Sequence, residues 1–233
     1  MNLGRRRFCG MFAGTAATAL LPRGASAVIS PATGFADSRP VSPTSLTAAP
    51  MLPPETIMPD PRVGDMAPAL LPRALAALEA HRGRIADRNV VGLVDFSVPS
   101  RQPRLHIVDI AGGRVISSHL VAHGRGSDPE NSGFAERFSN RMGSEASSNG
   151  SFVVGDTYQG KHGRSRRLIG LDIDNDQAEA RGIVIHSAPY VCPDFVAQYG
   201  RVGRSEGCFA VPPNEIGAVL ELLGPGRLLF AAR

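Results

Sequence analysis

The sequence predicts a mainly β domain, a β-sandwich or partial barrel with short peripheral helices, occupying the C-terminal part of the chain. Three observations lead there. From Val90 onward the apolar residues fall in short runs rich in β-branched side chains, the pattern of half-buried strands. Glycine, asparagine and serine clusters separate those runs, and only brief stretches carry helical spacing. The prolines are unevenly spread, with 10 of the 19 between Pro31 and Pro72, so that stretch cannot supply a packed core.

Residues 1–27 read as an export signal. Gly4-Arg5-Arg6-Arg7-Phe8-Cys9-Gly10 is followed by an uncharged stretch to Pro22, then Arg23 and the small-x-small triplet Ala25-Ser26-Ala27. A basic region, a soft apolar region and a cleavage site stand in the order such signals require. Arg5-Arg6-x-Phe8 ahead of a Gly/Ala/Thr-rich core resembles a twin-arginine signal peptide. That resemblance implies the twin-arginine translocase as a passing partner and a mature chain beginning near Val28, in the periplasm or at the cell wall. The apolar run is too short for a stable membrane anchor, and Cys9 lies outside a lipobox-like context. The segment holds Arg5, Arg6, Arg7 and Arg23 and no acid, so it carries the whole formal charge of +4. A formally neutral remainder gives no electrostatic case for nucleic acid as a partner.

Residues 28–72 are expected to be a Pro-rich tether. Leu71, Leu75, Leu78 and Ile85 then fall at helical spacing and predict a docking helix over 73–89, ahead of a domain at 90–233. Within that domain strands are expected at 90–98, 105–110 and 115–121, the last two joined by Ala111-Gly112-Gly113 as a hairpin. A Gly/Ser/Asn-rich loop follows at 124–150, long enough to suggest function. Further strands are expected at 151–154, 168–173 and 183–186, helices at 194–199 and 214–223, and a last strand at 227–231.

Beyond the signal, the cysteines are Cys192 and Cys208. Cys208 ends the turn-like string Gly203-Arg204-Ser205-Glu206-Gly207-Cys208, where substrate can reach a thiol and the amides of Gly207 and Cys208 offer oxyanion donors. His186 ends the apolar run Gly182-Ile183-Val184-Ile185. An imidazole that accepts the thiol proton and a thiolate that attacks a carbonyl are the minimal acyl-transfer pair. On the residues alone, a structural histidine and a Cys192–Cys208 disulfide stand beside that reading.

At these residues the sequence resembles the murein L,D-transpeptidases, the YkuD-like catalytic domain. His186 followed by Ser205-x-Gly207-Cys208 is similar to the family signature. His123-Gly124-Arg125-Gly126-Ser127, Phe138-Ser139-Asn140, Ser147-Ser148-Asn149-Gly150 and Ile185-His186-Ser187-Ala188-Pro189-Tyr190-Val191 resemble one branch of it, in order, from about Val90 to the C-terminus. The resemblance implies a β fold of L,D-transpeptidase type and an enzyme of cell wall biogenesis that needs no cofactor. Its partners would be peptidoglycan stem peptides: it would cut the L,D bond ahead of the terminal D-Ala of a tetrapeptide stem and pass the acyl group, through a thioester, to an amine. It implies Cys208 as nucleophile, His186 as base, the Ser187 carbonyl as orienter of the imidazole, and the Gly207 and Cys208 amides as oxyanion donors. Ser205, Arg204, Tyr190 and His123 are the expected substrate contacts. Water as acceptor would make an L,D-carboxypeptidase-type hydrolase, and silent chemistry a peptidoglycan-binding module. The chain departs from the commonest motif by Glu206 in place of a histidine, and by a longer His186-to-Cys208 interval containing Cys192, expected as a free or partly buried thiol.

Other polar residues read as structural. Lys161, His162, Arg164, Arg166 and Arg167 suggest a solvated loop face before a carboxylate-binding one. His106 and His119 lie in strand-like segments. Asp172, Asp174, Asn175 and Asp176 lack the glycine and closing glutamate of a calcium loop and read as a polar turn. His162, His186, Cys192 and Cys208 lack zinc-ligand spacing, and no metal is expected.

Overall fold

The apolar runs form eight strands: β1 (Asp87–Asp95), β2 (Leu105–Asp109), β3 (Arg114–His119), β4 (Gly150–Gly160), β5 (Gly163–Gly170), β6 (Val184–Ser187), β7 (Phe209–Val211) and β8 (Arg227–Ala232). They belong to a computed structural model that describes residues 69–233; the expected export signal and the expected tether up to residue 68 lie outside the described residues. The strands form one mixed sheet in the order β3-β2-β1-β8-β4-β5-β6-β7. β1 runs parallel to β8 and β6 parallel to β7, and the other neighbours are antiparallel.

Period-two alternation gives the sheet two apolar faces. In β8, Leu229 and Ala231 join one core cluster, while Leu228, Phe230 and Ala232 join another. The first face closes on itself. Phe96, just past β1, and Phe209 in β7 are far apart in strand order, yet their ring centroids are 5.9 Å apart. Ala122 N also donates to Ala210 O at 2.8 Å. The sheet therefore curls into a partial barrel around Phe152, Leu168, Ile185 and Leu229, in keeping with the predicted mainly β class and its short peripheral helices.

Helix α1 (Leu70–Ala80) covers the second face, setting Leu70, Ala74, Ala77 and Leu78 against Val91, Val108, Leu228 and Phe230. It starts earlier and ends sooner than the expected 73–89. Pro72 fits because first-turn amides have no intrahelical acceptor. At the other end, His81 and Arg82 amides close the helix on Ala77 and Glu79 carbonyls, and Asp87 already belongs to β1. His81 Nε2 then fastens the helix end to Asp172 Oδ1 at 2.8 Å. Two more helices, α2 (Pro193–Tyr199) and α3 (Ile216–Leu222), lie close to their expected positions.

The expected loop at 161–167 is a correction. Thr157 pairs with Arg166 and Gln159 with Arg164, so β4 and β5 form a long hairpin whose turn is only Lys161-His162. Its polar faces hid the strand signal. The arginines also separate: Arg166 is buried and donates from Nη2 to Leu220 O at 2.8 Å, whereas Arg167 lies over the Tyr158 ring at 4.8 Å.

Candidate active site

Cys208 is presented by a turn that needs a glycine just before it. Gly207 sits at φ 117°, and a Cβ there would come within 2.9 Å of both Ala146 O and Ile183 Cδ1. Ser205 ties the turn together: its Oγ accepts from Gly207 N at 3.2 Å and donates to Cys208 O at 2.7 Å. The turn is stitched to His123 and the adjoining 124–150 segment by Ser205 N to His123 O (2.9 Å) and Arg125 N to Ser205 O (2.8 Å). Ser147 Oγ donates to Gly207 O at 3.0 Å. The Gly207 amide is thus engaged by Ser205 and is not the free oxyanion donor expected from sequence. Among the described residues no hydrogen-bond acceptor faces the Cys208 amide.

The parallel pairing of Ile185 with Phe209 sets the rest of the geometry. Both of those side chains enter the core, so Cys208, one residue before Phe209, and His186, one after Ile185, face away from it. His186 Nδ1 lies 2.8 Å from Ser187 O. A carbonyl can only accept, so Nδ1 carries the proton and Nε2 keeps its lone pair. Burial pushes the imidazole below its ordinary value against the pull of the Ser187 carbonyl, with the charges of His162 and Lys161 adding to the fall. Burial likewise pushes the Cys208 thiol up, opposed by the Val184 backbone amide and the charge of Lys161.

Thiol and imidazole open on one cleft of about 420 Å³, which Tyr190, Arg204, Lys161 and Arg181 also line. Burial, with the negative charges of Cys208 and Glu206, pushes the Tyr190 hydroxyl up to about 12. The His162 ring stacks on His186 with centroids 4.2 Å apart. Cys192 is remote in role: its Sγ accepts from Phe195 N at 3.4 Å and caps α2, and both cysteines are free thiols, so the disulfide alternative falls.

Residues 64–232 of the sequence match the L,D-transpeptidase catalytic domain family. The chain belongs to that family. Among solved structures it is similar to an L,D-transpeptidase from Mycobacterium smegmatis, at 14% identity and TM-score 0.39, with 62% of this chain and 59% of that one covered. It is also similar to one from Mycobacterium tuberculosis, at 15% identity and TM-score 0.40, covering 62% and 58%. A third, from Xylanimonas cellulosilytica, shows 17% identity and TM-score 0.39, covering 69% and 70%. The chain thus spans less than two thirds of the length of the mycobacterial proteins. No curated protein matches it.

Within this L,D-transpeptidase domain the predicted site residues divide. Cys208, His186, Tyr190, Arg204 and Ser205 line the cleft, and Ser187 orients the imidazole through its carbonyl. Ser205 is chiefly a brace of the turn. His123 is a correction, since its ring is buried beneath the site and both nitrogens are engaged. Arg104 Nη2 can only donate to Nδ1, at 2.7 Å, so the proton sits on Nε2 and points to Asp128 Oδ2 at 3.3 Å. Burial, with the charge of Arg104, holds this neutral imidazole at about 4. His106 and His119 are buried as well, bonded to Ser118 and to Glu215 and Ser117.

Sequence reasoning missed Arg104, Tyr158 and Arg181, and left Lys161 and His162 in a loop. Arg104 is wholly buried and also donates to Val98 and Val121 carbonyls. Nothing in its spacing marked it. Lys161 did carry a signal, because it is the chain's sole lysine.

Proposed function

We propose that this domain is a peptidoglycan L,D-transpeptidase that works by ping-pong cysteine acyl transfer and reaches the cell wall through twin-arginine export. One observation carries the chemistry: Cys208 and His186 line the same cleft, and the Ser187 carbonyl holds the imidazole proton on Nδ1, leaving Nε2 its lone pair. In the first half-reaction His186 Nε2 takes the thiol proton and the sulfur attacks the carbonyl of the L,D bond in a tetrapeptide stem. The Cys208 amide receives the developing oxyanion. The C–N bond breaks, the proton passes to the departing amine, and terminal D-Ala leaves behind a thioester. In the second, an acceptor amine gives its proton to His186, attacks the thioester and frees the thiol. Tyr190 and Arg204 contact the substrate along the cleft. The export reading is supported by the Arg5-Arg6-x-Phe8 string and the small-x-small triplet after it.

The test is to incubate the purified mature protein with tetrapeptide-containing muropeptides and read the products by mass. Cross-linked or amine-exchanged products with release of D-Ala are expected, and their loss in Cys208→Ala. Water as the sole acceptor would make the protein a hydrolase, and binding without product a silent wall-binding module.

A further inference from the structure

Four cationic side chains line the cleft: Arg125, Lys161, Arg181 and Arg204. Three have fixed partners. Arg125 pairs with Glu145 and reaches Glu206 at 3.3 Å. Arg181 braces the 139–148 segment, donating to the carbonyls of Ser139, Ser144 and Ala146 and to Ser148 Oγ. Arg204 donates to Asp128 O. Lys161 has no hydrogen-bond or ion-pair partner among the described residues. It occupies the turn of the β4–β5 hairpin beside His162, whose ring lies on His186, and whose carbonyl stands 3.5 Å from Ser187 Oγ. Lys161 lines the same cleft as His186 and Cys208, and its charge bears on both.

The chemistry proposed above defines what an unpaired cation on that side would meet. The amine that leaves takes its proton from His186, and the carbon next to that nitrogen bears the carboxylate of the terminal D-residue. That carboxylate therefore lies on the imidazole side of the sulfur. Because the second half-reaction retraces the first, an acceptor amine enters along the same line, and an amine on a D-amino-acid centre brings an identical carboxylate with it.

We propose that Lys161 is the specificity-determining cation of this site, holding the α-carboxylate next to the reacting amine in both half-reactions. The inference rests on the transpeptidase reading. A flexible four-carbon stem in a tight turn suits this task, since one point charge must serve a leaving group and an incoming one. Arg125 and Arg181 would have to give up several existing partners to do the same, and Arg204 one.

The experiment compares two donors, a tetrapeptide stem with a free C-terminal carboxylate and the same stem as its C-terminal amide, in the full mature chain and in Lys161→Met and Lys161→Arg. The expected result is a fall in kcat/KM of about 10- to 100-fold for the carboxylate donor in Lys161→Met, a much smaller fall for the amide donor, and partial recovery in Lys161→Arg. The same contrast should appear between a D-amino acid and its amide as acceptors. Equal losses on both donors, or no loss on either, would overturn the assignment while leaving the transpeptidase reading in place. A wild-type chain that turns over neither donor would instead remove that reading. Lys161 is exposed in a turn, so a thermal midpoint matching wild type is expected and confirms that the comparison is between folded proteins.

Discussion

Burial moves Cys208 and His186 in opposite directions, the thiol up and the imidazole down, so the resting pair is neutral rather than a thiolate–imidazolium pair. Thiolate absorbance titrated against pH should therefore have its midpoint above that of an ordinary cysteine, and the acid limb of kcat/KM should lie below the ordinary imidazole value of 6.5. A thiolate already formed at neutral pH would contradict this. His123 makes a separate prediction about stability. Its folded value of about 4 lies below the ordinary 6.5, so its contribution is full above 6.5 and is lost as pH falls through 4. Stability should fall across that window by on the order of 3 kcal/mol, read as a falling melting temperature, and His123→Gln should flatten the slope. Cys208 and His186, which the structure brings to one cleft, were legible as candidate site residues because a short motif marks them. The freedom of the Gly207 amide and of the His123 ring was not, since Ser205 Oγ and the distant Arg104 decide those, and neither interaction leaves a trace in spacing.

Two elements hold the site: the 203–207 turn and the segment at 124–150. Despite its loop-like composition, that segment buries Ser127, Asp128, Ser147 and Ser148. Asp128 accepts from the amides of Ser132 and Gly133, and Ser127 Oγ accepts from Ser147 N at 2.9 Å. The segment and the turn meet at Gly124, where a Cβ would fall 2.1 Å from Glu145 O and 2.7 Å from Gly207 N. Gly124→Ala should lower stability by about 1–3 kcal/mol and cut acylation of Cys208 more than that loss explains. Calorimetry and single-turnover acylation would check this, and a normal acylation rate would contradict the proposed contact. The polar composition pointed correctly to an unusual segment, but not to its order, because serine and aspartate hydrogen bonds within a loop have no periodicity.

Across the whole domain, the strands were legible where short apolar runs stood out from polar surroundings, as in β1, β2 and β8. Their order was not. β8, the last strand in the chain, lies between β1 and β4, and such long-range pairing is set by core packing rather than by neighbouring residues. That insertion, with the curl that brings Phe96 to Phe209, carries β6 and β7 to one edge and brings the thiol and imidazole to a common cleft. The fold thus sets His186 and Cys208, distant in sequence, along one cleft, while Cys192 stays engaged at the start of α2. Intact-protein mass spectrometry after brief exposure to a tetrapeptide stem tests the central claim most directly. The account predicts an adduct of one stem acyl group less its terminal D-Ala, mapped to Cys208, retained in Cys192→Ala and absent in Cys208→Ala; product formation with no adduct, or an adduct that survives Cys208→Ala, would contradict it.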